Sequence, residues 1–130
     1  MSDKNKKAEA LAWGQQAERI VCEWLIAKGY TVRETNWRPV SSKSEIDIIA
    51  QKDDTLVFVE VKARTDRKLD PADAITPEKI KNVVRGANAY LCLQEYDFFY
   101  RFDVATISGS AEDYDFDYLE DAFLPPLACR

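Results

Sequence analysis

The spacing of apolar side chains divides the chain into segments of two periods. From about Lys7 to Lys28, Trp13, Ala17, Ile20, Val21, Trp24 and Leu25 recur every three or four residues, which predicts an amphipathic helix stopped by Gly29. Thr76-Pro77 has the form of a helix cap and first helical position, and Ile80, Val83, Val84, Ala87 and Leu91 then mark one face of a second helix. Between these helices the period is two. Tyr30 to Asn36 alternates as a half-buried strand does, and Glu45 to Gln51 and Thr55 to Ala63 are dense in Ile and Val. Asp53-Asp54 separates the latter pair, so a hairpin is expected. Phe98 to Ile107 is a further strand, and a short edge element is expected around Tyr118 to Phe123. The order helix, strand, hairpin, helix, strand predicts one α/β domain over residues 1–130, with a mixed sheet and a core from about 7 to 107.

The hairpin carries the candidate chemistry. A turn centred between Asp53 and Asp54 sets Asp47 opposite Glu60 and Glu45 opposite Lys62, all on one face. Ile46 and Ile48, with Val57, Val59 and Val61, are then expected on the other face. Two facing carboxylates are destabilising unless something positive lies between them. A divalent cation serves that purpose, whereas Glu45 opposite Lys62 is equally a ready-made cross-strand ion pair.

Composition narrows the choice of metal and mechanism. The chain contains no histidine, which excludes Ser-His-Asp and Cys-His nucleophiles, histidine-bound zinc and histidine-activated water. Its three cysteines, Cys22, Cys92 and Cys129, lack metal or redox spacing, and Cys22 and Cys92 are expected to act as small hydrophobes within helices. Oxygen ligands alone suit Mg²⁺ or Mn²⁺, ions that typically work on phosphate esters. Lys62, on the same face as Glu60, can orient water or offset charge on phosphorus. Glu18, at the flank of the first helix's apolar stripe, can reach the edge of such a site. No apolar run spans a bilayer, and the polar start followed by no apolar core points to a cytoplasmic protein.

The net charge of −5 is unevenly spread. The first hundred residues carry 16 basic and 16 acidic side chains, and the last thirty carry 2 and 7. Residues 108–130 therefore read as an acidic tail on a neutral body, and the sign of the whole chain says little about the face around Lys62. Arg64, Arg67, Lys68, Lys79, Lys81 and Arg85 supply the basic groups a phosphate backbone requires.

Asp47 followed at a distance by Glu60-Val61-Lys62 is similar to the signature of PD-(D/E)XK nucleases. The flanking blocks extend the likeness: Gly14 and Glu18 with Ala17, then Gly29-Tyr30, Asn36-Trp37-Arg38, Glu45-Ile46-Asp47-Ile48-Ile49-Ala50, Val57 to Arg64, Ala74 to Lys79 and Arg101-Phe102-Asp103-Val104. Together they resemble the YraN-like family of that superfamily, related to archaeal Holliday-junction resolvases. The resemblance implies a restriction-endonuclease-like three-layer α/β/α core with a central mixed β-sheet. It further implies an Mg²⁺- or Mn²⁺-dependent endonuclease acting on DNA, branched or structured DNA included. On this basis Asp47 and Glu60 are expected as metal ligands, Lys62 as the catalytic lysine, Glu18 as the helix acid and Glu45 as accessory. Arg64, Lys79 and Arg101 are expected at phosphates, although Arg101 and Asp103 can equally pair with each other. Resolvases are often dimers, so by analogy a homodimer is a further expectation. The alternative from another class is a non-catalytic nucleic-acid-binding or adaptor protein that keeps the fold.

Overall fold

The computed structural model describes residues 3–40, 43–65 and 75–123. Helix α1 (Asp3–Ala27) is followed by strands β1 (Thr31–Trp37), β2 (Ile46–Lys52) and β3 (Thr55–Arg64). Helix α2 (Pro77–Cys92) and strands β4 (Phe99–Ser110) and β5 (Asp113–Leu119) complete the order. The strands form one sheet in the sequence β1-β2-β3-β4-β5, antiparallel except for the parallel β3–β4 pair. A parallel pair needs a crossover, and α2 lies within it.

Each helix ends as its sequence dictates. At the end of α1 the Tyr30 N–H donates to the Leu25 carbonyl and the Gly29 N–H to that of Ile26, with Gly29 at φ +95°. That left-handed conformation costs glycine least. At the start of α2 the Thr76 hydroxyl accepts from the Lys79 N–H at 3.2 Å, with Pro77 in the first turn.

The two helices cover opposite faces of the sheet. Trp13, Ala17, Val21 and Leu25 of α1 pack on Ile48, Ala50, Val57, Val59, Ala105 and Ile107. Val83, Val84, Ala87 and Tyr90 of α2 pack on Ile46, Ile49, Leu56, Phe58 and Phe102. This is the expected three-layer arrangement, with hydrophobic runs in the central strands because both faces are covered.

Four expectations change. Ile46 and Ile48 do not share a face: Ile46 belongs to the α2 side and Ile48 to the α1 side, so regular alternation breaks at Asp47. The stretch after 107 is not simply a tail, because β4 continues to Ser110 and the acidic run supplies β5 as a full edge strand. That strand lies earlier than the expected element at Tyr118 to Phe123. Cys22 packs partly against the α1-side core as expected, but Cys92 is exposed at the last residue of α2. Cys129, Arg67 and Lys68 lie outside the described residues.

Candidate active site

The hairpin register places Ile48 opposite Val59 and Lys52 opposite Thr55, as a turn at Asp53-Asp54 requires. Asp53 adopts φ +53°, the left-handed form that tight turns use and aspartate tolerates. The β2–β3 ladder ends at Ile48–Val59, while β3 stays paired with β4 as far as Arg64. Beyond that point the β2-facing edge of β3 lacks a ladder partner, and the Asp47 side chain takes up one of its donors. Its Oδ2 accepts the Val61 N–H at 2.8 Å. The parting of the strands thus holds an acid at the open end of the sheet by a charge-assisted bond.

Glu60 lies beside it. The residue is 7% exposed, and its Oε2 is buried with no hydrogen-bond partner. Burial, followed by the close Asp47 carboxyl, pushes the Glu60 pKa up to about 9, with Lys79 acting in the other direction. Lys79 Nζ sits 3.6 Å from Glu60 Oε1, placed there by the first turn of α2. Gly86 lets the same helix lie close to the end of β2: a Cβ there would stand 3.2 Å from Ile46. Glu60, Val61, Lys62, Thr76 and Lys79 line a cleft of about 220 Å³.

The other candidates divide into three groups. Lys62 is half-buried in the wall of the cleft, and among the described residues no ion pair engages it, so the Glu45–Lys62 pair does not form. Glu45 turns instead to Arg38, with Nε 3.5 Å from its Oε1. Glu18 approaches from α1 and accepts from Asn36 Nδ2 at 3.0 Å. Burial raises its pKa and the Asn36 bond opposes the rise, while the charges of Asp47 and Glu45 add to it. Arg64 is exposed at the end of β3, where its carbonyl accepts from the Trp13 indole N–H at 3.0 Å.

Arg101 goes elsewhere. Its Nε and Nη2 each donate to Asp103 at 2.9 Å, and Nη2 also donates to the Tyr30 hydroxyl at 2.8 Å. Four residues earlier in register than the Val61–Ala105 pair, its guanidinium is held on the α1 side of the sheet, away from the cleft. Of the two expectations for Arg101, the pair with Asp103 is the one that forms. Thr76 lines the cleft yet was legible only as a helix cap, and Arg38 and Asn36 as partners of the acids have no periodic signal.

Fit to a hard cation can be judged from the donors. The partnerless Glu60 oxygen beside the Asp47 carboxylate offers oxygen alone, as Mg²⁺ or Mn²⁺ prefers. Among the described residues no three acids or cysteines converge into a closed cage. An open site suits Mg²⁺, which usually takes one or two carboxylates and fills the remaining positions with water and substrate phosphate.

A mixed sheet layered between two helices, with an acid at the parted hairpin and Glu-x-Lys on the next strand, defines a restriction-endonuclease-like α/β protein. In keeping with this, a solved structure of the Archaeoglobus fulgidus Holliday junction resolvase Hjc shares the fold, with a TM-score of 0.53 at 21% identity, over 80% of this chain and 75% of that one. The model of the uncharacterised protein family UPF0102 matches residues 17–107. Relatives are similar over most of their length. A UPF0102 protein of Phocaeicola vulgatus is 35% identical over 121 residues, covering 92% of this chain and 98% of the relative. One from Prosthecochloris aestuarii is 41% identical over 118 residues, covering 85% and 91%. The chain belongs to UPF0102, the YraN-like family.

Proposed function

We propose that the protein is an Mg²⁺- or Mn²⁺-dependent endonuclease that hydrolyses phosphodiester bonds in DNA, branched DNA included. The observation that carries this reading is the buried Glu60 carboxylate, with one oxygen unpartnered, beside Asp47. A buried acid in that condition costs about 1–3 kcal/mol, and a bound cation removes the cost.

In this reading Asp47 and Glu60 hold the ion, which when bound lowers the pKa of water and polarises the phosphoryl oxygen. The Val61 N–H donates to Asp47 Oδ2 and so holds the carboxylate in place. Lys62 lines the same cleft, and its role in this reading is to offset charge that develops on the non-bridging phosphate oxygens and to orient the attacking water. Water adds to phosphorus, the bond to the leaving oxygen breaks, and that oxygen takes up a proton. Lys79, paired with Glu60 at 3.6 Å in the cleft, would be within reach of a phosphate oxygen were the ion held by Glu60. Arg64, exposed two residues beyond Lys62, extends the basic path along the backbone. Glu18, close enough to Asp47 and Glu45 to feel their charge, stands at the flank of the site as the helix acid, with Glu45 accessory.

Cleavage of a four-way junction and of linear duplex, with Mn²⁺ or with chelator, tests the reading. Metal-dependent nicking is expected for the wild type, with loss to background in Asp47→Ala and a fall of about 10²–10³-fold in Lys62→Met. Absence of metal-dependent cleavage, or equal activity in Asp47→Ala, sinks it. Salt-sensitive DNA binding without cleavage would instead establish the non-catalytic alternative.

A further inference from the structure

The sequence blocks Asn36-Trp37-Arg38 and Glu45-Ile46-Asp47 lie across from each other in the sheet. β1 pairs with β2 through Thr35–Ile48 and Trp37–Ile46, which sets Asn36 opposite Asp47 and Arg38 opposite Glu45. Arg38 and Glu45 meet as an ion pair, whereas the proposed hydrolysis gives Asn36 no part. Yet its backbone is unusual, with φ +51°. The other non-glycine residues with positive φ among those described, Asp53 and Asp121, lie in turns, while Asn36 lies inside a strand. Asparagine tolerates the left-handed form better than most residues with a Cβ, but within a regular element the surroundings must hold it there. The effect shows in the faces. Along a regular strand, residues two apart share a face. Here Thr35 stands opposite Ile48, a side chain of the α1-side core. Trp37 instead packs with its partner Ile46 on the α2 side, its ring 5.1 Å from that of Tyr90. Both strands therefore lose one step of alternation at the same rung, Asn36–Asp47. On β2 Asp47 accepts the Val61 N–H at this step, and on β1 Asn36 Nδ2 donates to Glu18 Oε1 at 3.0 Å.

We infer that Asn36 is a positioning residue of the site: its left-handed backbone sets the step that presents Asp47 to β3, and its carboxamide holds Glu18 of α1 at the same rung. An uncharged donor suits this place, because it steadies Glu18 near Asp47 and Glu45 without supplying a countercharge that would compete for an ion. The two parts of the role separate by residue type. Glycine adopts the left-handed form freely but has no amide, whereas alanine lacks the amide and also resists the backbone. The consequence for cleavage rests on the reading of Asp47 as an ion ligand. The placement of the two carboxyls does not, since NMR measures it on the metal-free chain.

Asn36→Gly and Asn36→Ala are compared with the wild type in the full chain by three readouts. These are the Val61 amide proton shift, which reports the bond to Asp47, the titration of the Glu18 side-chain carboxyl, and Mn²⁺-dependent cleavage of a four-way junction. In Asn36→Gly the Val61 amide should keep its wild-type shift, while the Glu18 midpoint rises because the bond that opposes its raised pKa is gone. Its kcat should fall about tenfold with KM within about twofold of the wild type. In Asn36→Ala the Val61 amide should move as well, and the Mn²⁺ dissociation constant measured by calorimetry should rise about tenfold. A Val61 amide displaced as far by glycine as by alanine, one unmoved by either, or a Glu18 midpoint unchanged in Asn36→Gly overturns the inference. A wild type that neither binds Mn²⁺ nor cleaves overturns the nuclease reading instead, and the two NMR readouts still decide the role of Asn36.

Discussion

Glu60 and Asp103 are both buried acids near the middle of one sheet, on adjacent parallel strands, and they meet opposite fates. Asp103, 1% exposed, accepts from Arg101 through two bonds, from the Tyr118 hydroxyl at 2.5 Å and from the Asp121 N–H at 2.9 Å. Both of its oxygens are used. Glu60, 7% exposed, has a lysine 3.6 Å from one oxygen, a second carboxyl close by and a bare buried oxygen. A carboxylate completed by the protein secures the fold by joining β4 to β5 and, through Arg101, to Tyr30. One left incomplete lowers stability and leaves a buried acceptor without a donor. The difference shows also in titration. The hydrogen bonds to Asp103 raise the pKa of Arg101, and burial followed by the Asp103 charge raises that of Tyr118, so the charged pair and the neutral phenol are each favoured, whereas burial and the close Asp47 carboxyl push the Glu60 pKa up to about 9.

The largest break in this contrast is Asp103→Ala. It strands a guanidinium that is mostly covered and should cost about 3–5 kcal/mol in urea unfolding, without altering metal affinity. A loss under about 1 kcal/mol would show that the network is not what secures β4 to its surroundings.

Glu60→Gln should act in the opposite sense, stabilising the metal-free protein by about 1–3 kcal/mol at pH 8 while removing metal binding measured by calorimetry. The sign follows from the raised pKa. The unfolded chain releases this proton near 4.5 and the folded one near 9, so the contribution is fully present below 4.5 and is lost as pH rises to about 9. In the Gln variant that slope should vanish from the pH dependence of unfolding. Destabilisation by Glu60→Gln at pH 8 would place Glu60 with Asp103 as a structural acid.

Asp47→Asn sharpens the comparison further. It keeps an acceptor for the Val61 N–H, so stability should change by less than about 1 kcal/mol while the alkaline pKa of Glu60 falls, a shift that carbon-detected NMR reads directly. Outside the two acids, Trp13→Phe removes the indole donor to the Arg64 carbonyl and should cost about 1 kcal/mol in thermal unfolding, with the Glu60 pKa unchanged.

Both helices were legible because each has a local stop or start of its own: Gly29 at the end of α1, Thr76-Pro77 before α2. The hairpin register followed from one turn, since the side-chain period of two leaves no freedom once Asp53-Asp54 is placed. What escaped that reasoning depends on contacts distant in sequence. The split of Ile46 from Ile48 arises where β2 leaves β3 and the Gly86 stretch of α2 draws Ile46 to its own side. The same departure removes Glu45 from Lys62 and gives it to Arg38. The acidic run read as a tail because charge alternating with aromatic rings appears polar on average, although each aromatic finds α1 once β5 is laid beside β4.

By itself, then, the sequence determined both helices and the first four strands, and by its lack of histidine the mechanisms that are excluded, because these rest on local geometry and residue type. Only the tertiary structure decided which buried acid is satisfied and which is not. Glu60 and Asp103 have the same functional group and nearly the same burial, and what separates them is whether a guanidinium, a phenol and a backbone N–H from distant parts of the chain arrive at their oxygens.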